Sequence, residues 1–391
     1  MGTERMAELR GFGTRCIHAG EAPDPTTGAH GVPLYQNVTY AFETHGQVEA
    51  MRCGERPHFT YSPRANPTVR CLELKLADLE GTETAIALNS GMAAISGTLL
   101  TLLSGGGHVI ASDHLYDQTR VFLETDLPTF GSDATFVDVT DPVAVKNAIT
   151  PQTRAIYAEP FSNPHLRVVD PSMLAAIARP HGLVVIVDNT FLSPALFQPA
   201  ASGADIVLHS ATKYLSGNGQ VQGGVVAGPA SLVEPIRTNS LHLGTALSPF
   251  AAWMLLAGIH TLPLRMERHS QNALALATML ANHPAVADVH YPGLPTDAGH
   301  LRATGMVGAG NERYGGMISF SLSGGRSHFA PFLDALRLCT IAVSLGDCST
   351  LIWPWHEGNL IRMSTGLEDL QDLIADLTQA LDGCVSAAAA D

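Results

Sequence analysis

The segment Asp205-Ile206-Val207-Leu208-His209-Ser210-Ala211-Thr212-Lys213 joins a short apolar run to a lysine. Ala204 to His209 has the length and composition of a buried β-strand, and hydroxyl residues then precede the lysine. Tyr214 and the glycine-containing stretch Ser216 to Gly219 follow. The pattern predicts a strand that ends at a polar edge of a sheet, with Lys213 just beyond it.

Similar apolar runs occur on both sides of this segment. They are Thr84 to Asn89, His108 to Ala111, Thr135 to Val139, Arg154 to Glu159, Leu183 to Asp188 and Gly224 to Ala227. Helical stretches lie between several of them, including a helix that ends near Gly81 and another that begins at Gly91. Near-continuous apolar strands alternating with helices are typical of a mainly parallel sheet covered on both faces. We therefore predict an α/β fold that binds its ligands at the carboxyl ends of the strands.

Three regions are predicted along the chain. Residues 1–60 are rich in turn-forming residues and show little helical period, so we expect an extended arm. Residues 61–255 carry the α/β alternation. Residues 256–391 are predicted to form a smaller α+β domain, with strands near Val286 to Tyr291 and Met317 to Leu322 and helices near Ser327 to Leu338 and Leu367 to Leu381.

The composition limits the classes of partner. The 391 residues include 22 basic and 36 acidic side chains, a formal net charge of −14, and only three of the basic residues are lysines. Such a chain is poorly suited to nucleic acid or to anionic membranes, so we expect small molecules and further copies of itself as partners. The six cysteines contain no CxxC pair, which is typical of reduced thiols in the cytoplasm.

Several common catalytic motifs are missing from the sequence. It contains no HExxH, GxSxG, GxxxxGK[ST] or GxGxxG pattern, and its 17 histidines show no paired metal-ligand spacing. Zinc protease, serine hydrolase and dinucleotide-binding functions are therefore disfavoured. We expect no metal site.

The three lysines differ in their surroundings. Lys75 and Lys146 lie in amphipathic helical segments, where we expect them on solvated faces. Lys213 lies instead at the predicted mouth of a parallel sheet. Partial burial there would lower the pKa of its amine and make it a nucleophile suited to a Schiff base. A structural ion pair is the alternative.

Asp188 ends the apolar run Leu183 to Val187, which is predicted as a central strand. A carboxylate at this position needs a cationic or hydrogen-bonding partner, because burying an unpaired charge is costly. The protonated pyridine nitrogen of pyridoxal phosphate is such a partner, and an N-cap of the next helix is the alternative. Backbone amides at Ser90-Gly91-Met92 and the hydroxyls of Ser210 and Thr212 would suit the phosphate.

Together these segments resemble one enzyme family. The chain is similar to the pyridoxal-phosphate enzymes of cysteine and methionine metabolism, which include cystathionine γ-synthases and γ-lyases, methionine γ-lyases and O-acylhomoserine sulfhydrylases. The resemblance rests on His18 to Gly20, Tyr61 to Thr68, Ser90 to Ala94, Glu159 to Pro164, Asp188 to Thr190, Ser210 to Gly219, Ser248 to Phe250, Thr261 to His269 and Arg362 to Asp369. It implies a fold-type I transferase fold with pyridoxal 5'-phosphate as the cofactor.

The resemblance also implies residue roles. Lys213 would hold the cofactor as a Schiff base and move protons, and Tyr116 would stack on the ring and act as an acid or base. The remaining cofactor contacts would come from Asp188 at the pyridinium, Asn163 at the ring hydroxyl, and Ser90, Gly91, Met92, Ser210 and Thr212 at the phosphate. Arg362 would bind the substrate carboxylate, assisted by Ser344 and next to Val343. Tyr61 would reach the phosphate of a neighbouring subunit, which implies a homotetramer built as a dimer of dimers.

The reaction implied by the resemblance is γ-elimination on a sulfur amino acid, which gives 2-oxobutyrate, ammonia and a thiol. The alternative is a γ-replacement synthase that joins an activated homoserine ester to a thiol. A non-catalytic binding or scaffold protein is the alternative from another class. The residues named above are shared by elimination and replacement, so they do not separate the two reactions.

Three departures from the family pattern bear on the site. Pro63 stands where the family usually has a phosphate-binding arginine, and we expect Arg64 to take its place. Gln118 stands where methionine γ-lyases typically have cysteine, and Val343 where cystathionine-handling members often have glutamate. The segment 351–359 is much shorter than in the family, so altered specificity is one interpretation and simple trimming the other. We also expect Cys348 to be a buried, inert thiol.

Overall fold

The large sheet of the protein has seven strands with mainly parallel pairing. The computed structural model describes residues 11–55, 58–307, 313–355 and 359–388, with side chains as far as residue 384. The strands are β1 Thr84–Leu88, β2 His108–Ser112, β3 Asp133–Val137, β4 Thr153–Ala158, β5 Val184–Asp188, β6 Ile206–Ser210 and β7 Gly224–Gly228. Each lies on one of the apolar runs predicted from the sequence, which confirms the α/β fold.

The order across this sheet is β1-β7-β6-β5-β4-β2-β3. The four neighbouring pairs from β6 to β3 are parallel, whereas β7 pairs antiparallel with both β6 and β1. Two buried apolar clusters cover the two faces of the sheet. The carboxyl ends of β4, β5 and β6 therefore meet at one edge, where binding sites form in such folds.

The helices are α1 Phe12–His18, α2 His45–Arg52, α3 Pro67–Glu80, α4 Gly91–Leu102, α5 Asp117–Val121, α6 Pro142–Asn147, α7 Pro171–Ala178, α8 Ser193–Leu196, α9 Ala230–His242, α10 Pro249–His260, α11 Leu262–Ala281, α12 His300–Val307, α13 Phe329–Ala335 and α14 Leu370–Ala388. Helix α3 shows why the sequence places its ends well. Asn66 accepts hydrogen bonds from the amides of Thr68 and Val69, and Gly81 ends the helix at φ 69°.

A second sheet occupies the C-terminal region. Its strands β8 Val286–His290, β9 Met317–Leu322, β10 Thr340–Ile341, β11 Leu351–Trp355 and β12 Leu360–Ser364 pair in the order β10-β11-β12-β9-β8. Only β8 and β9 were expected from the sequence. The domain boundaries after residues 60 and 255 stay predictions, and the second lies within α10, so that this helix would join the two domains.

The prediction of an extended arm is wrong in part, because the described residues of the arm contain the short helices α1 and α2. Thr44 caps α2 by accepting a hydrogen bond from the amide of Gln47. Helix α1 packs on α3, and Gly20 just beyond it has no room for a side chain, since a Cβ there would lie 2.5 Å from the carbonyl oxygen of Cys71. Residues 1–10 lie outside the described residues.

The prediction that Lys75 lies on a solvated helix face is also wrong. Its side chain is fully buried, and Nζ donates to the carbonyl oxygens of Cys16 at 2.6 Å and Ile17 at 3.2 Å. Nζ also lies 3.0 Å from the Glu21 carboxylate. The lysine thus satisfies carbonyls in the last turn of α1, which have no partner within that helix. Lys146 is exposed, as expected.

Two stretches without charged residues, Leu88 to Ser112 and Leu241 to Leu264, are long enough to be considered as membrane spans. Within the described residues, no helix has the length and apolar character needed to cross a membrane. All six cysteines are free thiols. No group of histidine, cysteine and carboxylate side chains suited to a metal ion occurs in the described part of the chain.

Candidate active site

A cavity of about 530 Å³ opens at the carboxyl ends of β4, β5 and β6. It is lined by residues 90–222, around the large sheet, and by residues 343–362, around the C-terminal sheet. Of the residues predicted for the site, it brings together Ser90, Gly91, Met92, Tyr116, Asn163, Asp188, Ser210, Thr212, Lys213, Val343, Ser344 and Arg362. Tyr61 and Arg64 do not line it. The strand ends and the C-terminal sheet therefore build one pocket.

Lys213 lies three residues beyond β6, and its Nζ donates a hydrogen bond to Ser344 Oγ at 2.7 Å. Burial, together with the nearby charge of Arg362, lowers the pKa of the amine from 10.5 to about 8. Ser344 holds this position with φ 89°, a left-handed conformation that costs a non-glycine residue about 1–3 kcal/mol. An amine with so low a pKa carries a substantial neutral, nucleophilic fraction near pH 8.

Asp188 ends β5 with its carboxylate buried. One oxygen accepts from the amide of Thr190 at 3.1 Å and from its hydroxyl at 2.5 Å, and the other accepts from Tyr157 at 3.2 Å. Burial raises the pKa of the carboxyl. The alternative of a helix cap is wrong, because the next helix, α8, begins at Ser193 with Leu192 as its N-cap residue.

Helix α4 begins against the end of β6. Ser90 caps it by accepting from the amide of Ala93, and the amides of Gly91 and Met92 lie in the first turn, where they have no partner within the helix. A Cβ at Gly91 would lie 2.8 Å from the Cβ of Ser210, so glycine is required for this approach. The helix start and the Ser210 and Thr212 hydroxyls form a cradle suited to an anion.

Glu159 is a functional candidate to which the sequence analysis gave no role. It follows β4 as a buried carboxylate, and its oxygens accept from the amide of Tyr116 at 2.8 Å and the amide of Asn163 at 3.1 Å. Burial and the charge of Asp188 raise its pKa. A carboxylate directly after an apolar strand was the signal that identified Asp188, and the same signal applied to Glu159.

Arg362 on β12 is held at the opposite wall of the cavity. Its Nη1 donates to Asn163 Oδ1 at 2.8 Å, and its Nη2 donates to the carbonyl oxygen of Ser344 at 3.2 Å. The side chain is buried, which lowers its pKa. The outer wall is made of Gln118, Val343, Trp353 and Trp355.

The comparisons with known proteins agree with this geometry. Residues 13–357 match the family described as Cys/Met metabolism PLP-dependent enzyme. The chain belongs to this family. It is 43% identical to the L-methionine γ-lyase of Pseudomonas putida over 96% of the chain and 98% of that protein. It is 41% identical to the cystathionine γ-lyase of Bacillus subtilis over 94% of the chain and 98% of that protein.

The chain is also similar to a relative with a different activity and to two solved structures. The O-succinylhomoserine sulfhydrylase of Pseudomonas aeruginosa is 38% identical over 95% of both chains. The structure of metB from Corynebacterium glutamicum superposes with a TM-score of 0.90 at 34% identity, over 96% of this chain and 98% of that one. That of metY from Campylobacter jejuni has the same TM-score at 33% identity, over 96% and 100%, and contains pyridoxyl-lysine monophosphate.

The residues of the cavity fit pyridoxal phosphate, the cofactor of this family. Among the described residues, no lysine or arginine forms an ion pair with the buried Asp188, so this carboxylate has room for a cationic partner. The glycine-dependent cradle at α4 suits a phosphate, and Lys213 supplies an amine of lowered pKa in the same cavity. Carboxylate, amine and anion cradle are the three groups needed to hold this cofactor.

The lowered pKa of Lys213 predicts selective labelling in the cofactor-free protein. Acylating reagents attack neutral amines, so the labelling rate at Lys213 should rise with pH and reach half its plateau near pH 8. Mass spectrometry of peptides resolves all three lysines, with exposed Lys146 as the internal control. We expect added cofactor to protect Lys213 and not Lys146. A rate at Lys213 that still rises steeply above pH 9 would contradict the lowered pKa.

Two further predictions have different outcomes. Tyr61 is 45% exposed and lies away from the cavity of its own chain, so its role at a neighbouring subunit stays a prediction, as does that of Arg64. Cys348, expected to be buried, is exposed, and its thiol donates to the carbonyl oxygen of Gly217 at 3.0 Å. It lies on a loop that follows Ser344, and a short loop at the surface leaves a side chain there uncovered.

Proposed function

We propose that the chain catalyses γ-elimination from a sulfur amino acid, with 2-oxobutyrate, ammonia and a thiol as products. One observation carries the proposal: the Lys213 amine and the Arg362 guanidinium face one cavity and are linked through Ser344. An amino acid whose carboxylate binds Arg362 would therefore present its α-carbon side to the amine. The lyase relatives support elimination.

The chain's own residues would divide the work as follows. Lys213 would take the proton from the α-carbon and return protons along the substrate, since its amine is neutral for much of the time near pH 8. Arg362 would bind the α-carboxylate as a two-pronged donor, with Ser344 beside it. Tyr116, whose pKa is raised by burial, would pack over the cofactor ring and serve as a second proton carrier.

The remaining residues would position the cofactor. Pyridoxal phosphate supplies an electron sink that stabilises negative charge at the substrate's α-carbon. Asp188 would keep the pyridine nitrogen protonated, and Asn163 would donate to the ring hydroxyl oxygen. The phosphate would be held by Ser90, the amides of Gly91 and Met92, and the hydroxyls of Ser210 and Thr212. Glu159 would fix the backbones of Tyr116 and Asn163 in place.

The outer wall favours an uncharged γ-substituent. Among the described residues, Lys213 and Arg362 are the two basic side chains that line the cavity, and both have roles near the α-carbon. A substrate with a second amino-acid end, such as cystathionine, would find no further basic side chain for its distal carboxylate among the described residues that line the cavity. Val343 and the two tryptophans offer apolar surface instead. We therefore propose, as the substrate class, amino acids whose γ-substituent is an uncharged alkylthio group, such as methionine.

Product analysis tests this proposal. The purified holoenzyme is supplied with methionine, cystathionine, cysteine or O-acetylhomoserine, each with and without an added thiol, and 2-oxobutyrate and thioethers are quantified. We expect 2-oxobutyrate from methionine at a higher kcat/KM than from cystathionine. A thioether as the main product from O-acetylhomoserine plus thiol would instead identify a replacement synthase, and the absence of turnover with cofactor bound would favour a binding protein.

We further propose a homotetramer whose subunits share active sites, in the cytoplasm. The six free thiols support that compartment. Tyr61 is exposed in its own chain, which supports a contact with another copy. In that assembly Tyr61 and Arg64 would reach the phosphate of the neighbouring subunit.

This arrangement predicts that Arg64→Ala weakens cofactor binding. Loss of a hydrogen bond to a charged group should raise the dissociation constant of pyridoxal phosphate about tenfold. The measurement is a cofactor titration of cofactor-free protein. Arg52→Ala is the control, since Arg52 lies on α2 at the surface, where it pairs with Glu49. Unchanged affinity in Arg64→Ala would show that Arg64 does not take the place of the family's arginine.

A further inference from the structure

The antiparallel strands β11 and β12 lie at the wall of the cavity. Trp353 pairs directly with Arg362, and Trp355 pairs with Leu360. Directly paired residues, and residues two apart on one strand, share a face of a sheet. Both tryptophans therefore lie on the same face as Arg362, and this is the face that lines the cavity.

Trp355 makes a specific contact on that face. The guanidinium carbon of Arg362 lies 5.5 Å from the centroid of the Trp355 ring, within the range of a cation–π interaction. The indole N–H is buried and has no hydrogen-bond partner among the described residues. Among the described residues, the Trp355 ring therefore interacts with a polar group through the Arg362 guanidinium.

Two hydrogen bonds also hold Arg362. Asn163 Oδ1 and the carbonyl oxygen of Ser344 accept from its two terminal nitrogens, and the N–H bonds of a guanidinium lie in its own plane. Neither acceptor prevents the guanidinium from tilting out of that plane. A ring against the guanidinium opposes this tilt, and it also excludes water, which strengthens any ion pair that Arg362 forms.

We propose that Trp355 is a positioning residue that holds Arg362 in the orientation that binds the substrate's α-carboxylate. The proposal deepens the proposed function, on which it rests, by assigning carboxylate selectivity to an aromatic residue of β11. Trp353 serves as a neighbouring cavity wall. It shares the strand and face of Trp355 and provides a matched comparison.

The test measures ligand binding and needs no elimination. Norleucine resembles methionine and has no leaving group, and norleucinamide also lacks the carboxylate. Each is titrated into the holoenzyme while the visible absorption of the cofactor is recorded. In Trp355→Leu we expect the dissociation constant of norleucine to rise about tenfold, and that of norleucinamide to change less than twofold. Trp355→Phe, which keeps an aromatic face, should restore most of the affinity for norleucine.

Trp353→Leu should leave the ratio of norleucine to norleucinamide affinity near that of the wild type. Equal losses for both ligands in Trp355→Leu, or no recovery in Trp355→Phe, would overturn the proposal and leave Trp355 as a wall of the pocket. Cofactor content and thermal unfolding of each variant establish that the protein is folded. If Trp355→Leu does not fold, Trp355→Met, which also lacks an aromatic face, carries the same comparison. Tight norleucine binding without 2-oxobutyrate from methionine would refute the proposed function alone.

Discussion

Lys213→Ala is expected to lower kcat for 2-oxobutyrate formation by about 10³-fold or more, because removing a positioned proton carrier alone typically costs 10²–10⁴-fold. The variant also loses the amine to which the cofactor would be joined. The cavity keeps Asp188 and the phosphate cradle, so we expect the variant to bind pyridoxal phosphate without a covalent bond. Steady-state product assays and mass spectrometry after borohydride reduction measure the two effects separately.

Two further lysine variants sharpen this test. Lys213→Arg should be as inactive as Lys213→Ala, because an arginine stays protonated and cannot accept the α-proton. Lys146→Ala removes an exposed lysine from α6 and should retain full activity. Reduction should fix the cofactor to the wild-type chain and to Lys146→Ala, but not to either Lys213 variant. An active Lys213→Ala enzyme would show that another group moves the proton.

The residues of the site that could be predicted from the sequence are those at the ends of the strands. Asp188 ends the apolar run that begins at Leu183, and Lys213 lies a few residues beyond the run Ala204 to His209. Both line the cavity at the ligand edge of the sheet. The rule that ligands bind at the carboxyl ends of the strands indicates both Asp188 and Lys213 without any knowledge of the rest of the fold. Applied to β4, it also indicates Glu159.

The wall of the cavity formed by the C-terminal sheet did not follow from such local patterns. Arg362 and Ser344 meet Lys213 across more than 130 residues, and only the family resemblance linked them. Strand β11 has the sequence Leu-Ile-Trp-Pro-Trp, in which a proline interrupts the strand pattern. Strand β11 pairs with β12 on one side and with the short β10 on the other. Because such pairing depends on tertiary contacts, the local sequence pattern does not predict it.

The misassignment of Lys75 has a similar cause, and it leads to the second large effect. Lys75→Met is expected to lower the free energy of unfolding by about 3–5 kcal/mol, the range found when one member of a buried ion pair is removed. Methionine fills a similar volume but donates nothing to the carbonyls of Cys16 and Ile17, of which that of Cys16 stays buried. Glu21 would also lose the lysine as a partner and keep His260, at 2.7 Å.

Thermal and denaturant unfolding of the holoenzyme measure this effect. Lys146→Met, the same substitution at an exposed position, should change stability by less than about 0.5 kcal/mol. Proteolysis should cut the arm of Lys75→Met near α1 faster than the wild-type arm, because the lysine is one of the contacts that join that helix to α3. Equal stability of Lys75→Met and Lys146→Met would contradict the structural role of the buried amine.

A double-mutant cycle with Glu21→Gln separates the ion pair from the carbonyl contacts. If the Lys75–Glu21 pair at 3.0 Å dominates, the double variant should be about as stable as Lys75→Met alone, since the unpaired carboxylate has been removed. If the carbonyls of α1 dominate, the losses should add. We expect the losses of stability to be close to additive. Glu21 keeps His260 as a partner, whereas the carbonyls of Cys16 and Ile17 would have no other side-chain donor among the described residues.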